Sequence, residues 1–397
     1  MSHIIIDEKR INNLLERGVE DIFVKENLKK KLMSGKQLRI KLGFDPTGSK
    51  IHIGRAIVLR KLREFQDLGH KIFFIVGDFT AQVGDPSDKL EKRPMLKKEQ
   101  IKENLKTYKK QVGKIIDLKK VKFCYNSKWL KKLDFQEISE LAESFSVQQM
   151  SARRNFKDRI EKGDEVSLRE FLYPLMQGYD SVAIKADVEI GGFDQLFNLK
   201  AGRVIQKHYG QNEQDVLTCQ MLEGTDGRKM STSWGNIVTI VDESNDMFGK
   251  LMAVHDSLIT KYFKLCTDTD LSEILKMDND IKEGKVNPRD LKMKLAYEIV
   301  KIYHGEKKAK EAEENFIKTF QKKEIPDNLE EIKADHGLGN TLVINKIVSS
   351  MSEYRRLIEE GAIKKLSDNK EAKITDTKAE ADKGIYKVGK RRFVKII

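Results

Sequence analysis

Residues 37–44, QLRIKLGF, alternate apolar and polar side chains and put Leu38, Ile40 and Leu42 on one face, the two-residue period of a strand. Gly, Asp and Pro in GFDPTG end that pattern. From Ile51 the period changes, and Val58, Leu62 and Phe65 recur at helical spacing up to Gly69. IFFIV at 72–76 is short, apolar and β-branched, like a parallel strand covered on both faces. Strand, helix and strand in succession make one βαβ unit. A second is predicted from DVEIGGFDQLFNLKAGRVIQKHYG (187–210) followed by DVLTC (215–219). Together they predict an α/β fold with a Rossmann-like, doubly wound parallel sheet.

Between the two units, residues 97–170 read as mostly helical, an insertion in a first domain spanning 1–235. No strand pattern occurs over 242–320, which predicts a helical domain at 236–325. KKEIPDNLEEIKADHGLGN (322–340) mixes Pro, Gly and charge as linkers do. A small α+β module over 338–397 follows. Its helix is SSMSEYRRLIEEG, and its end, KGIYKVGKRRFVKII, alternates as β structure does.

A chain of 397 residues is too long for one compact core, and 39% hydrophobic residues are ample for a folded chain. Lys and Arg number 75 against 62 Asp and Glu, a net +13. That excess points to a polyanionic partner, nucleic acid before membrane. It is concentrated in 91–130, with 13 Lys/Arg against four Asp/Glu, either an RNA contact or a solvated helix face. No apolar stretch is long enough to span a membrane, and MSHIIIDEKR lacks the pattern of a signal peptide. Cys124, Cys219 and Cys266 are too widely spaced for a CxxC pair. A cytoplasmic protein with reduced thiols and no metal site is expected.

Two loops carry candidate chemistry. Gly43 to Arg55 (GFDPTGSKIHIGR) runs from the carboxyl end of a strand into a helix start, where free backbone N–H groups favour phosphate. Gly54 lets a ligand lie close to the backbone, His52 can donate to a phosphate oxygen, and Thr47 adds a hydroxyl. Taken alone, His52 reads equally well as a helix cap. Gly224 to Ser233 (GTDGRKMSTS) is a glycine-rich, basic loop in which Lys229 supplies a mobile charge. By composition it is also an ordinary surface turn.

Taken together, HIGR followed much later by KMSTS resembles the HIGH and KMSKS motifs of class I aminoacyl-tRNA synthetases. Four segments resemble the bacterial tyrosyl-tRNA synthetases: GFDPTGSKIHIGR (43–55), GDFTAQVGDPS (77–87), FLYPLMQGYDSVAIKADVEIGGFDQLFNL (171–199) and LEGTDGRKMSTS (222–233). The tail, 338–397, resembles an S4 RNA-binding domain. Tyr173, Gln177 and Asp180 fall on one helix face at i, i+4 and i+7, beside apolar Leu172, Leu175 and Met176.

The resemblance implies a tyrosine pocket of Asp85, Tyr173, Gln177, Asp180 and Gln195, with Asp180 accepting from the phenol. It implies ATP contacts at Gly43, Asp45, Thr47, His52, Gly54 and Arg55, at Gly191, Gly192 and Asp194, and at Leu222, Lys229, Met230 and Ser231. Of these, Thr47, His52, Arg55 and Lys229 carry the catalytic role, and Lys89 and Arg93 are further phosphate candidates. Arg355, Arg356, Lys390, Arg391 and Arg392 are the tRNA candidates, and Tyr354, on the same helix as Arg355 and Arg356, is expected to meet the sugar–phosphate backbone with them. ATP with Mg²⁺ is expected as a substrate complex, with no tightly bound cofactor. tRNA(Tyr) and L-tyrosine are the other substrates, and a homodimer is expected.

The chain departs from the pattern at Arg55, at Thr232 and at Lys41, where many tyrosyl enzymes have tyrosine. Two other readings stand beside this one. One is the related tryptophanyl enzyme, which typically has Met where Gln177 stands. The other is an RNA-binding protein that has lost catalysis, to which Arg55 and Thr232 lend support.

Overall fold

A computed structural model describes residues 4–87, 96–231, 234–321, 329–367, 370–389 and 392–397. The chain divides into two compact units, one of residues 1–243 and 250–303, the other of 244–249 and 304–397.

The first unit is built on a six-stranded sheet. Its strands are β1 (Val19–Phe23), β2 (Arg39–Phe44), β3 (Lys71–Val76), β4 (Val121–Tyr125), β5 (Val188–Gly192) and β6 (Asp215–Cys219). They lie in the order β1-β6-β5-β2-β3-β4. Every neighbouring pair is parallel except β1 and β6. The inner strands are the apolar runs: all of β3 but Lys71 is buried, and β6 is buried throughout. The helix Ile53–Asp67 covers β2 and β3 with Ala56, Leu59, Leu62 and Phe65, and stops before Gly69, whose φ of 93° few other residues adopt. The helix Leu168–Ile184 begins with a reciprocal cap between Ser167 and Glu170.

The stretch 97–170 is mostly helical, with one strand that its sequence pattern does not announce. It holds several helices, including Lys98–Val112 and Arg154–Glu161, but also β4, which completes the sheet edge beside β3. As an edge strand, VKFCY buries only Cys124 fully, so it lacks the apolar run of its neighbours. β1 is hidden for the same reason, since VEDIF carries two acids and no buried position. The helices Ile259–Cys266, Leu271–Lys282 and nearly all of Pro288–His304 group with the sheet, while Glu306–Phe316 groups with the second unit.

The second unit contains β7 (Glu330–Ile332), β8 (Ile363–Ser367), β9 (Lys370–Lys373), β10 (Gly384–Val388) and β11 (Arg392–Ile396). Their order is β7-β11-β10-β8-β9, with only β7 and β11 parallel. β7 lies inside the segment read as a linker. Helices Leu338–Ile344 and Met351–Glu359 pack on this sheet through Leu338, Leu342, Tyr354 and Ile358. Tyr354, read from sequence as able to meet an RNA backbone, is instead fully buried in that core. With Ile358 it forms the apolar stripe of its helix. No helix among the described residues is long and apolar enough to cross a membrane.

Candidate active site

The sheet turns at β2. From there the chain winds outward to β3 and β4, while β5 and β6 lie on the other side. β2 and β5 pair only at Ile40–Val188 and Lys41–Glu189. Ligands of open α/β sheets bind beyond the carboxyl ends of strands at such a switch point. The segments leaving β2, β3, β5 and β6 all emerge there, and they hold nearly all the candidate residues of the first unit.

One group of side chains is tied together by hydrogen bonds. Tyr173 Oη donates to Asp45 Oδ2 at 2.9 Å, and Thr80 Oγ1 to Asp45 Oδ1 at 2.7 Å. Asn126 Nδ2 donates to Thr80 Oγ1 at 3.0 Å and to Asp180 Oδ2 at 3.3 Å. Trp129 Nε1 donates to Asp180 Oδ1 at 2.7 Å. Asp180 is 3% exposed, and burial pushes its carboxyl up to about 7, against the pull of Lys41 and of these two donors. Burial, then Asp45, raises the Tyr173 phenol well above its ordinary range, so it stays a neutral donor.

Asp85 anchors a second group. It accepts from Gln195 Nε2 at 2.7 Å, from Asn198 Nδ2 at 3.4 Å and from the Ser87 backbone N–H at 2.9 Å. Arg153 donates to Asn198 Oδ1 and Ser87 Oγ, both at 3.2 Å, and stacks 4.2 Å over Phe197.

Gly77 shows how closely the first group is built. A Cβ there would lie 1.8 Å from Asp45 Oδ1 and 2.4 Å from Thr80 Oγ1. Gly77→Ala is therefore expected to displace Asp45, costing about 1–3 kcal/mol of stability as overpacking does. Denaturant unfolding measures this, and an unchanged midpoint rejects the tight fit.

The phosphate-type loops meet each other. His52 caps the helix Ile53–Asp67, with Nδ1 accepting from the Arg55 N–H at 3.3 Å, which places its hydrogen on Nε2. Burial, then the charge of Arg55, pulls the imidazole down to about 4, so it is neutral at pH 7. Arg55 donates to Thr47 Oγ1 at 2.9 Å and lies 5.4 Å over Phe44. A Cβ on Gly54 would come within 2.8 Å of Met230 Sδ, so Met230 packs against the HIGR turn. Asn236 holds that segment, accepting from the Ser231 N–H at 2.8 Å and donating to the Lys229 carbonyl at 3.0 Å. Leu222 is buried nearby in sequence. Near β5, a Cβ on Gly192 would lie 2.5 Å from Asp194 Oδ1, and one on Gly191 3.3 Å from Gln195 Cβ. Gly43 faces open space.

Lys89, Arg93, Thr232, Lys390 and Arg391 lie outside the described residues. Arg355 and Arg356 are exposed on their helix, with Arg356 3.8 Å from Glu360. Arg392 donates to the Ile347 carbonyl, so part of its guanidinium serves its own fold. Sequence reasoning missed Thr80, Asn126, Trp129, Asn198 and Glu189. Thr80 stands in GDFTAQVGDPS and Asn198 just past GGFDQ, but Asn126 and Trp129 reach the site from beside β4, with no local signal.

Residues 33–321 match the family described as tRNA synthetases class I (W and Y). The chain is 46% identical over 387 residues to a tyrosine–tRNA ligase of Thermotoga maritima, covering 96% of each. It is 46% identical over 410 residues to a tyrosine–tRNA ligase of Carboxydothermus hydrogenoformans, covering 99% of each. Among solved structures it is similar to a C-terminally truncated mitochondrial tyrosyl-tRNA synthetase of Aspergillus nidulans. That pair has a TM-score of 0.65 and 23% identity over 79% of this chain and 95% of the other. A tyrosyl-tRNA synthetase of Archaeoglobus fulgidus complexed with L-tyrosine gives 0.62 and 20% over 77% and 100%. At these identities the structures speak for the fold.

Proposed function

The chain belongs to the class I tRNA synthetases (W and Y), and from this we infer a tyrosine–tRNA ligase whose residues divide between a tyrosine pocket and a phosphate site. The enzyme activates L-tyrosine with ATP to tyrosyl-adenylate and then transfers tyrosine to the 3′ end of tRNA. The observation that carries the pocket assignment is Asp180, a buried carboxylate with lone pairs left for a phenol hydrogen. Asp85, Tyr173, Gln177 and Gln195 complete the pocket, with acceptors for the substrate ammonium.

In the first step a carboxylate oxygen of tyrosine attacks the α-phosphorus, and the bond to the β-phosphate oxygen breaks, releasing pyrophosphate. In the second, a ribose hydroxyl of the terminal adenosine attacks the acyl carbon, and AMP leaves. No side-chain nucleophile is required, so the protein contributes positioning and charge stabilisation. Thr47, His52, Arg55 and Lys229 hold the phosphates, with Lys89 and Arg93 as further phosphate candidates. Gly43, Gly54, Gly191 and Gly192 let the nucleotide approach the backbone. Asp194 takes the ribose, Leu222, Met230 and Ser231 flank the nucleotide, and Asp45 lies near the adenylate. Mg²⁺ arrives with ATP as part of the substrate. ATP–pyrophosphate exchange with each amino acid in turn tests the reading: tyrosine alone should support it, and exchange with tryptophan, or none at all, overturns it.

A catalytic domain at 1–235, a helical domain at 236–325 and an S4-like RNA-binding domain at 338–397 complete the proposal. A cytoplasmic location completes the reading, and the three cysteines, buried and free, suit a reducing compartment. A second copy of the chain would cover Phe135, Val147 and Leu168, which are 85%, 67% and 78% exposed around the helical insertion.

For the tail, exposed Arg355 and Arg356, with Lys390, Arg391 and Arg392, are assigned to tRNA phosphates. A chain truncated just before β7 is expected to keep pyrophosphate exchange and lose tRNA charging. Its tRNA affinity should also show a shallower salt dependence, because fewer counterions are released. Full charging by the truncated enzyme rejects an RNA-binding tail.

A further inference from the structure

Where β2 and β5 share their last rung, a charged pair is sealed from solvent. Lys41 and Glu189 are both 0% exposed and stand directly opposite each other in the parallel register. Lys41 Nζ lies 2.9 Å from Glu189 Oε1, and donates to the Gln177 carbonyl oxygen and to Ser181 Oγ, both at 2.7 Å. Each of its three hydrogens therefore has an acceptor. Glu189 is as fully engaged. Oε1 also accepts from Gln177 Nε2 at 3.1 Å, and Oε2 accepts from Ser181 Oγ at 3.1 Å and Gln214 Nε2 at 2.5 Å.

The chemistry of this cluster dictates the orientation of one amide. A carboxylate only accepts, so Gln177 must turn its NH₂ to Glu189 and its oxygen the other way. Among the described residues no side chain or backbone group donates to that oxygen. An ammonium ion only donates, so an outward oxygen suits it and an outward NH₂ repels it. The lysine keeps this arrangement single-valued. A buried carboxylate without a counter-charge takes up a proton, and a protonated Glu189 could donate to Gln177 and reverse the amide.

We propose that the Lys41–Glu189 pair is a positioning device for tyrosine recognition, fixing the Gln177 amide with its oxygen ready for the substrate's α-ammonium. This rests on the reading of Gln177 as an ammonium acceptor. Neither Lys41 nor Glu189 touches the substrate; both act through Gln177.

The test uses the full-length enzyme with both members of the pair replaced together, Lys41→Met and Glu189→Leu, because apolar replacement of a whole buried pair is commonly tolerated. Two ligands are compared by equilibrium binding: tyrosine, and 3-(4-hydroxyphenyl)propanoate, which has the phenol but no ammonium. Tyrosine affinity should fall about 10- to 100-fold more than the analogue's, the range for misplacing a hydrogen bond to a charged group, while any loss common to both ligands reports the removal of Lys41's charge from near Asp180. Unchanged tyrosine affinity overturns the proposal. Equal weakening of both ligands also overturns it, since that reports general damage to the pocket. In a Gln177→Ala background the double replacement should cost tyrosine nothing beyond what the analogue loses, and a full additional loss there rejects the link through Gln177. Should the double variant fail to fold, Glu189→Gln is read by the same ratio. If the unaltered enzyme binds tyrosine no better than the analogue, the ammonium reading of Gln177 fails first and the proposal falls with it.

Discussion

Asp180→Ala is expected to abolish tyrosine activation and, with it, discrimination against phenylalanine. The carboxylate is buried and, among the described residues, receives only Trp129 at 2.7 Å and Asn126 at 3.3 Å, so it retains acceptor capacity largely shielded from water. A phenol hydroxyl uses that capacity; a phenyl ring leaves a buried carboxylate short of a partner. Tyrosyl enzymes are themselves the standard illustration of such rejection, at about 10⁵-fold, so the size is adopted from them rather than calculated. The same carboxyl gives a pH signature. Burial holds it near 7 rather than in the usual carboxylate range, so below that pH it carries a proton. Tyrosine affinity should therefore rise with pH through about 7 and then level off. The sign for stability is opposite. The folded state holds this proton more tightly than the unfolded chain, so the contribution is complete below about 4 and is lost as pH rises towards 7. Equilibrium tyrosine binding across this pH range measures the first effect and denaturant unfolding the second. Near-normal exchange by Asp180→Ala rejects the assignment.

His52→Ala and Lys229→Ala should each slow adenylate formation on the order of 10²–10³-fold while leaving tyrosine affinity nearly unchanged. His52 lies on the HIGR turn and Lys229 beside Met230, which packs against that turn, and neither belongs to the groups around Asp180 and Asp85. His52 is held by its own cap, and its neutrality lets Nε2–H donate to phosphate without adding a second cation beside Arg55. Because burial and Arg55 pull the imidazole down to about 4, its titration contributes no inflection near 6.5. Rapid-quench measurement of adenylate formation, set beside tyrosine binding, separates the two possibilities. A loss of binding equal to the loss of rate rejects a transition-state role.

The inner sheet was legible because strands covered on both faces write themselves as apolar runs, as IFFIV and DVLTC do. Edge strands carry no such run. VEDIF and EEI carry two acids each and VKFCY is broken by Lys122, while β8 and β9, though β8 is no edge, are rich in lysine, so tertiary pairing alone reveals them. In the site, Tyr173, Gln177 and Asp180 could be found from their spacing on one helix. Asn126 and Trp129 could not, because they meet Asp180 across about 50 residues of intervening chain. Lys41 showed only as an oddity at a strand position. Its meaning depends on Glu189, which the register of two distant strands brings opposite it. Tyr354 was misread because its neighbours Arg355 and Arg356 drew attention from the stripe it shares with Ile358.

The antiparallel pairing of β1 with β6 bears on how the protein is born. Val19 lies opposite Cys219, so β1 leaves the ribosome about 200 residues before its partner, on the order of 10–40 s at ordinary elongation rates. Through that interval β1 has no native strand to join, and an idle strand invites pairing with other nascent chains. Glu20 and Asp21 place two negative charges on that strand at little cost to the finished core, since none of its residues is fully buried. The residues that hid β1 from a hydrophobicity reading are thus the ones that protect it during translation.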